Sequence, residues 1–282
     1  MISTRFLRKP TRLFSSRVIE KPRLTQHFID GKYVNSISGD TFPTINPAKE
    51  EIVTEVQRAG NEDVDRAVEA ARKAFDKGPW RKFSGTERGN CILKLLELFE
   101  KSADELSTLE VLDTGKPITM FKQFELPFMH GVFRYNAGWA DKIHGDTIPM
   151  EGDYFAYTKK EPAGVVAQIV PWNGPMLILT VKLAPALAAG CTVVIKPAEQ
   201  TPLSALKIGE LVREAGIPDG VVNIINGYGE DTGRYLAQHP GVDKISFTGS
   251  SEVGLELMRN SAANGRLKRL SLELGGKSPN II

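Results

Sequence analysis

The sequence has 282 residues, of which 41% are hydrophobic and 25% charged, a composition that suits a globular protein with a substantial core. No apolar run approaches the roughly 18 residues of a membrane-spanning helix, so we expect no transmembrane helix. Residues 1–25 hold seven of the 36 basic and one of the 34 acidic side chains. The remaining residues therefore have 29 basic and 33 acidic side chains and a net charge of −4. This net charge argues against nucleic acid as a partner.

The first 25 residues differ from the rest of the chain. They are rich in Arg and Ser, contain no acidic residue before Glu20, and intersperse apolar side chains among the basic ones. This pattern is typical of a mitochondrial transit peptide, and a disordered basic tail is the alternative. We therefore predict a transit peptide over residues 1–25 and a folded region over 27–282, located in the mitochondrial matrix, with a cytoplasmic location as the alternative.

The first part of the folded region is predicted to mix short strands with helices. Residues 27–50 have the character of short strands and turns, with one turn at Gly39-Asp40. Asn61 is a suitable N-cap for a first helix whose apolar residues recur at helical spacing up to Phe75, and a second helix is predicted over 85–109. Residues 132–160 are predicted to be extended again, with turns near Gly145 and Gly152.

From residue 164 onwards, apolar strands alternate with helices. Strands are predicted over 165–170, 191–196, 221–225, 244–248 and 267–274, and the helices between them over 176–189, 203–215, 231–238 and 250–263. This alternation predicts βαβ units, a parallel sheet and right-handed crossovers. The predicted fold class is therefore α/β, with a Rossmann-like parallel sheet, N-terminal helices and extended segments.

Polar residues and glycines collect where the predicted strands end, which is the edge at which open α/β sheets bind ligands. In strand order, the residues found there are Asn173, then Lys196 with Glu199, then Gly227 with Gly229, then Gly249 with Ser250, and finally Glu273. One edge of the sheet thus combines an amide, an ammonium group, two carboxylates and two glycine turns. We interpret this edge as the functional site.

Several of these residues also have a purely structural interpretation. Asn173 either shapes a turn or donates its amide to a developing oxyanion. Glu199 is either a surface carboxylate at a helix entry or an acceptor for a ribose diol. The pattern G-x-G-x-x-x-G that includes Gly229 and Gly233 resembles a dinucleotide loop, although glycine turns after strands are common.

The segment Thr248-Gly249-Ser250 is a stronger signal for a ligand. A glycine at position 249 permits close backbone approach, and Ser250 is predicted to cap a helix whose exposed N–H groups can hold a phosphate. Gly254, one turn later, would let that helix pack closely against the sheet or a ligand. The sequence predicts a phosphate-binding turn at this point.

Four segments in this order resemble the signature segments of the NAD(P)-dependent aldehyde dehydrogenase superfamily. They are Pro171-Trp172-Asn173, KPAEQTP (196–202), FTGSSEVG (247–254) and LELGGKSP (272–279). The resemblance extends from about residue 27 to the end of the chain and is strongest to broad-specificity class 1/2 and betaine-aldehyde-type members. A semialdehyde dehydrogenase of the same superfamily is a weaker alternative.

The resemblance implies a role for several residues. Asn173 matches the asparagine that stabilises the oxyanion, Glu273 the glutamate that activates water, and Lys182 a lysine in the proton relay of that glutamate. Lys196 and Glu199 match the pair that binds the adenosine ribose, and a carboxylate there would repel a 2′-phosphate, which favours NAD over NADP as cofactor.

The resemblance also implies the following set of cofactor-binding residues, with no metal ligand among them: Ile169, Pro171, Trp172, Lys196, Glu199, Gly229, Gly233, Phe247, Thr248, Gly249, Ser250, Val253 and Gly254. The turn and helix over 249–254 are expected to bind the pyrophosphate. Residues 132–160 resemble segments that assemble subunits, which implies a homo-oligomer, a dimer or tetramer, in the full-length form.

In the family, a cysteine thiolate attacks the aldehyde and hydride passes to the nicotinamide, after which the thioester is hydrolysed to the acid. That cysteine belongs to a segment beyond the glutamate, whereas this chain ends nine residues after Glu273. Cys91 and Cys191 lie in other segments with apolar flanks. We therefore expect an N-terminal portion whose catalytic domain is largely missing and which is inactive alone; a non-catalytic NAD-binding or subunit-associating protein is the alternative.

Overall fold

A computed structural model describes residues 22–262 and 266–282. Most of the predicted transit peptide, residues 1–21, lies outside the described residues. The strands are β1 His27–Ile29, β2 Lys32–Val34, β3 Thr41–Asn46, β4 Glu51–Gln57, β5 Thr147–Ile148, β6 Ala156–Tyr157, β7 Val165–Ile169, β8 Thr192–Lys196, β9 Val222–Ile224, β10 Lys244–Gly249 and β11 Arg269–Leu274.

The helices are distributed along the whole described chain. They are α1 Asn61–Asp76, α2 Gly85–Lys101, α3 Ala103–Thr114, α4 Ile118–Met120, α5 Leu126–Trp139, α6 Pro175–Ala189, α7 Leu203–Glu214, α8 Arg234–Gln238 and α9 Ser251–Asn260. A 3₁₀ turn at Pro79–Lys82 and π-helical segments at Phe121–Glu125 and Gly229–Gly233 complete the helical structure of the described residues.

The predicted parallel sheet is confirmed. Within the described residues the main sheet has seven strands in the order β11-β10-β7-β8-β9-β1-β2, and the five strands β7 to β11 run parallel to one another. All five residues of β8 are buried, as expected for a central strand covered by helices on both faces. The α/β fold class inferred from the sequence is therefore correct.

Two N-terminal strands extend this sheet, which the sequence did not predict. β1 pairs antiparallel with β9 through Phe28 and Ile224, and β2 pairs antiparallel with β1. The strand character of this segment was recognised, but its partner lies almost 200 residues away in the chain. β3 and β4, and likewise β5 and β6, form separate two-stranded sheets.

The core lies on both faces of the sheet because alternate strand residues point to opposite sides. On β8, Val193 and Ile195 pack into the cluster that contains Trp80, whereas Val194 packs into the cluster that contains Val64 of α1. Helices α2, α5, α6 and α7 contribute to the first cluster, and α1, α8 and α9 to the second. The helices therefore cover the sheet and leave its carboxyl edge to the loops.

Two predicted helix features need correction. The helix predicted over 85–109 is two helices that meet at Ser102, because acidic residues directly after Ser102 suit the first turn of a new helix. Asn61 is the first helical residue rather than the N-cap, which is Gly60. The carboxylate of Asp63 accepts the N–H of Gly60 at 3.1 Å and thereby takes over the capping role.

The prediction of extended structure over 132–160 is wrong for its first part. Helix α5 continues to Trp139, and it buries Met129, Phe133 and Ala137 at a spacing of four residues. Pro127, which suggests a break, lies in the first turn of α5, where proline is tolerated. Extended structure in this range consists of the short β5–β6 hairpin.

The buried His27 on β1 should make the stability of the fold depend on pH. Its Nδ1 accepts the N–H of Asn226 at 3.2 Å, and burial lowers its pKa from 6.5 to about 4, with Asp63 opposing and Arg66 assisting the shift. Between these values the unfolded chain binds a proton that the folded chain does not, so stability falls as the pH is lowered through this window.

We expect this group to cost the fold about 2 kcal/mol between pH 7 and about pH 4.5. The measurement is urea unfolding at both pH values for the wild type and for His27→Asn, whose amide oxygen can replace Nδ1 as acceptor. The variant should lose less stability than the wild type by that amount. Equal losses would show that His27 does not titrate in this window.

Candidate functional site

The residues that follow the strands do share one edge of the sheet. In the observed register, Ile169 of β7 lies between Lys196 of β8 and Phe247 of β10, and Thr248 lies opposite Glu273 of β11. This row crosses four adjacent parallel strands at their carboxyl ends. The structure therefore brings together the candidate residues that the sequence placed at strand ends.

The loop after β7 carries the candidate oxyanion donor. Pro171, Trp172 and Asn173 connect Val170 to Gly174, which is the N-cap of α6, and Trp172 and Asn173 are exposed. The N–H of Val170 donates to the carbonyl of Lys196 at 3.1 Å, so this loop leaves the sheet beside the end of β8. An exposed amide above the sheet edge is available to a ligand.

Lys182 and Glu273 share an electrostatic environment, as the resemblance implies for a proton relay. Lys182 on α6 is buried, and its Nζ donates to Oγ of Ser246 at 3.0 Å. Burial lowers the pKa of Lys182 from 10.5 to about 8, and the carboxylate of Glu273 partly opposes this shift. Glu273 itself is exposed at the end of β11. Lys182 can therefore exchange a proton at a pH close to neutral.

Lys196 and Glu199 form a close ion pair where β8 ends. The Nζ of Lys196 lies 3.0 Å from Oε2 of Glu199 and also donates to the carbonyl of Pro197 at 3.1 Å. Burial lowers the pKa of Lys196, and the attraction of Glu199 opposes that effect. Lys196 is 2% exposed, whereas the side chain of Glu199 is 27% exposed. The pair thus presents a carboxylate to solvent and holds its ammonium beneath.

The turn between β10 and α9 has the geometry predicted for it. Ser250 is the N-cap of α9, and its Oγ accepts the N–H of Val253 at 3.3 Å. A side chain at Gly249 would collide with the ring of Phe247, since an added Cβ would lie 2.4 Å from that ring. The exposed start of a ten-residue helix provides N–H groups that suit a phosphate.

The remaining glycines are packed to different degrees. An added Cβ at Gly254 would lie 2.5 Å from Leu274 of β11, which confirms that α9 packs closely on the sheet. An added Cβ at Gly233 would approach the stem of Lys196 to 3.5 Å, whereas none of the described atoms lies within 4 Å of one at Gly229. Gly229 and Gly233 begin and end a π-helical segment at the same edge.

The sequence did not indicate that Arg58 adjoins this edge. Its guanidinium lies 2.5 Å from a carboxylate oxygen of Asp231 and 5.1 Å from the centre of the Tyr228 ring. The ion pair and the ring contact hold the segment after β9 against the end of β4. Because Arg58 and Asp231 are 173 residues apart, no local sequence pattern reveals the contact.

The two cysteines lie elsewhere. Cys191 is buried directly before β8, at the amino edge of the sheet, and its carbonyl accepts the Nε1–H of Trp80 at 3.2 Å. Cys91 lies on α2 and is partly buried. Burial raises the pKa of both thiols, which disfavours the thiolate form. Neither sulfur is placed to react with a ligand at the carboxyl edge.

The described residues contain no group of three or more His, Cys, Asp or Glu side chains that could hold a metal ion. None of the helices in residues 22–262 and 266–282 has the length and apolar character to cross a membrane.

Comparison with known proteins identifies relatives. The family model described as "Aldehyde dehydrogenase family" matches residues 33–282. Retinal dehydrogenase 2 of Mus musculus is 54% identical over 261 residues, and cytosolic aldehyde dehydrogenase 1 of Macroscelides proboscideus is 51% identical over 259; each match covers 92% of this chain and 50% or 52% of the relative.

A solved structure shares the fold. The NAD⁺ complex of an aldehyde dehydrogenase from Bacillus cereus superimposes with a TM-score of 0.88 and 48% identity, over 92% of this chain and 52% of that one. The chain thus spans about half the length of the curated relatives it matches. The similarity includes the whole strand-end site described above, because the family match begins before β3 and reaches residue 282.

Proposed function

Since the chain belongs to the aldehyde dehydrogenase family, we propose that it binds NAD and forms the cofactor-binding part of an enzyme that oxidises an aldehyde to a carboxylic acid. The observation that carries this proposal is the strand-end row, in which the Lys196–Glu199 pair and the capped turn at Gly249-Ser250 share one edge. A site with these donors and acceptors fits a dinucleotide.

The residues of this edge fit the parts of the cofactor in turn. Glu199 accepts hydrogen bonds from the ribose diol of the adenosine, and Lys196 supports it from below. The start of α9 at Ser250 receives the pyrophosphate. Bound NAD⁺ supplies the hydride acceptor of the reaction. The charge of Glu199 disfavours a 2′-phosphate, which supports NAD rather than NADP.

The same edge holds the groups proposed for the aldehyde. The exposed amide of Asn173 donates to the aldehyde oxygen as negative charge develops there. Glu273 takes a proton from the water that hydrolyses the thioester. Lys182, whose Nζ donates to Ser246 and whose pKa burial lowers to about 8, belongs to the relay that carries this proton away. The proposed cofactor-binding surface also includes Ile169, Pro171, Trp172, Gly229, Gly233, Phe247, Thr248, Val253 and Gly254.

Titration of NAD⁺ into the 282-residue chain, followed by calorimetry, tests the proposal. We expect saturable binding of NAD⁺ that exceeds binding of NADP⁺, and no NADH production when an aldehyde is added, because neither cysteine lies at the site. The control for the second result is Cys191→Ser. Turnover that disappears in this variant would show that the chain contains a nucleophile, and absence of NAD⁺ binding would contradict the proposed function.

A non-catalytic role, in which the chain binds NAD or associates with other subunits, is the second candidate. The observation that favours it is the position of both cysteines away from the carboxyl edge, together with their raised pKa values. Saturable NAD⁺ binding without turnover is the result expected for this role as well. A turnover assay on the longest chain that contains these 282 residues separates the two candidates.

Two further parts of the proposal concern assembly and location. We propose a homo-oligomer, a dimer or tetramer, because Tyr154, Phe155 and Tyr157 around β6 are 67% to 77% exposed, as is typical of a surface that a partner covers. Light scattering measures the assembly directly.

We propose that the protein is located in the mitochondrial matrix, because of the composition of residues 1–25, with the cytoplasm as the alternative. Imaging of that segment fused to a fluorescent protein distinguishes the two locations.

A further inference from the structure

A buried group of charged residues lies beside the first turns of α6 and α7. It consists of Glu110 and Asp113 on α3, Lys116 just after α3, and Glu125 at the end of the π-helical segment. Lys116 Nζ lies 3.1 Å from Glu110 Oε1 and 2.9 Å from Glu125 Oε1. Two carboxylates thus contact one ammonium group, whose charge also acts on Asp113.

The carboxylates of α3 contact the first turns of two other helices. Asp113 Oδ2 accepts the N–H of Leu203, the first residue of α7, at 3.0 Å. Glu110 Oε2 accepts the hydroxyl of Ser204 at 2.6 Å, and its Oε1 accepts the N–H of Met176 in the first turn of α6 at 3.4 Å. These contacts span 66 to 94 residues of sequence.

Both helices need such contacts because their own N-cap residues cannot supply them. The N-cap of α6 is Gly174 and that of α7 is Pro202, and neither has a side-chain oxygen to accept a first-turn N–H. Free N–H groups at a buried helix start cost stability unless a partner is found. Glu110 and Asp113 provide that partner from α3.

The two capped helices begin directly after the two loops of the site. Asn173 precedes the N-cap of α6 by one residue, and Glu199 precedes the N-cap of α7 by three. The loop that carries Glu199 is therefore held at one end by Lys196 in β8 and at the other by the cap on Leu203. Loss of the cap would free one end of a six-residue loop.

We infer that Glu110 and Asp113 are positioning residues, which set the places of Asn173 and Glu199 by capping α6 and α7 from α3. The inference rests on the proposed function in one respect, namely that the site binds NAD. Neither carboxylate touches that site itself. They act through the starts of the two helices, and Lys116 neutralises part of the charge that their burial brings together.

The burial of Asp113 fits this role. Among the described residues, its second oxygen, Oδ1, has no hydrogen-bond partner, and burial raises the pKa of Asp113 well above its usual value. Capping needs one acceptor oxygen and no charge. Asparagine at this position keeps an acceptor oxygen and carries no charge, whereas alanine removes the acceptor, so the two substitutions separate the cap from the charge of the side chain.

The experiment compares Asp113→Asn and Asp113→Ala in the 282-residue chain. We expect amides at the start of α7 to exchange about 5- to 30-fold faster in Asp113→Ala, the factor that loss of a helix cap produces. The dissociation constant for NAD⁺ should rise about tenfold in the same variant. Both quantities should stay within about twofold of the wild type in Asp113→Asn. Ser204→Ala removes only the hydroxyl that donates to Glu110. The exchange rate and the dissociation constant should therefore rise in this variant too, but by less than in Asp113→Ala.

The matched control is Asp243→Ala. Asp243 accepts the N–H of Val165 at 2.8 Å and pairs with Arg72, so it also joins distant segments, but at the amino edge of the sheet. This variant should lower the unfolding temperature. It should change the NAD⁺ affinity by no more than about twofold, because well-separated sites contribute to the free energy almost independently of each other. Equal loss of affinity in Asp243→Ala, or unchanged exchange at α7 in Asp113→Ala and Ser204→Ala, would overturn the inference. If the wild type binds no NAD⁺, the proposed function fails, while the exchange measurements still decide whether Asp113 holds α7.

Discussion

Replacement of Lys116 by methionine is expected to destabilise the fold by about 3–5 kcal/mol, because it leaves buried carboxylates without their counter-charge. The side chain of Lys116 is 11% exposed, and those of Glu110 and Glu125 are 0% and 9% exposed. Burial already raises the pKa of Glu110, and Lys116 is the largest influence that opposes this shift. Methionine has a similar length but offers neither charge nor donors.

The measurement is urea unfolding followed by circular dichroism. Lys94→Met is the matched control, because Lys94 pairs with Glu97 on the exposed face of α2, and a surface pair contributes about 0–1 kcal/mol. Adding Glu125→Gln to Lys116→Met should recover part of the loss, since it removes one of the uncompensated charges. A loss no larger than that of Lys94→Met would show that the buried pairs contribute little.

Replacement of Glu199 by alanine is expected to weaken NAD⁺ binding by about 10- to 100-fold, the range for a hydrogen bond that involves a charged group. The expected cause is twofold. Alanine cannot accept hydrogen bonds from the ribose, and Lys196, which is 2% exposed, loses the carboxylate 3.0 Å from its Nζ. Burial then lowers the pKa of Lys196 without the opposing attraction of Glu199.

Glu199→Gln separates charge from hydrogen bonding. It keeps an acceptor oxygen but carries no charge, so we expect the ratio of NAD⁺ to NADP⁺ affinity to fall towards one as repulsion of a 2′-phosphate disappears. The control is Glu230→Gln, which neutralises an exposed carboxylate in the neighbouring loop. Calorimetric titration of both cofactors measures the ratio. Unchanged NAD⁺ affinity in Glu199→Ala would place the ribose elsewhere.

The alternation of apolar strands with helices after residue 164 was sufficient to predict the parallel sheet and the edge at which the candidate site residues lie. Strands such as β8 are buried on both faces, so its central residues Val193, Val194 and Ile195 form a continuous apolar run and the pattern is readable locally. Parallel strands end at a common edge, and therefore Asn173, Lys196, Gly249 and Glu273 could be assigned to one site before their positions were known. The segment resemblance then suggested a role for each.

The helix over residues 126–139 shows where local patterns failed. Its buried face consists of Met129, Phe133 and Ala137, while other aromatic residues of the segment are exposed, including Tyr135 and Trp139. Apolar residues on both faces obscure the helical period on which such a prediction depends. Only packing against α2 and α6 shows which face is buried.

The sequence by itself determined the class of the fold, the order of its parallel strands along the chain and the residue types gathered at one edge, because these follow from short-range periodicity. The tertiary structure decided which distant segments meet. β1 joins the sheet beside β9, Arg58 pairs with Asp231, and Asp113 caps α7 across 90 residues. The partners in such contacts are selected by the packing of whole elements rather than by sequence neighbours, and some of the contacts, such as the cap on α7, satisfy buried polar groups.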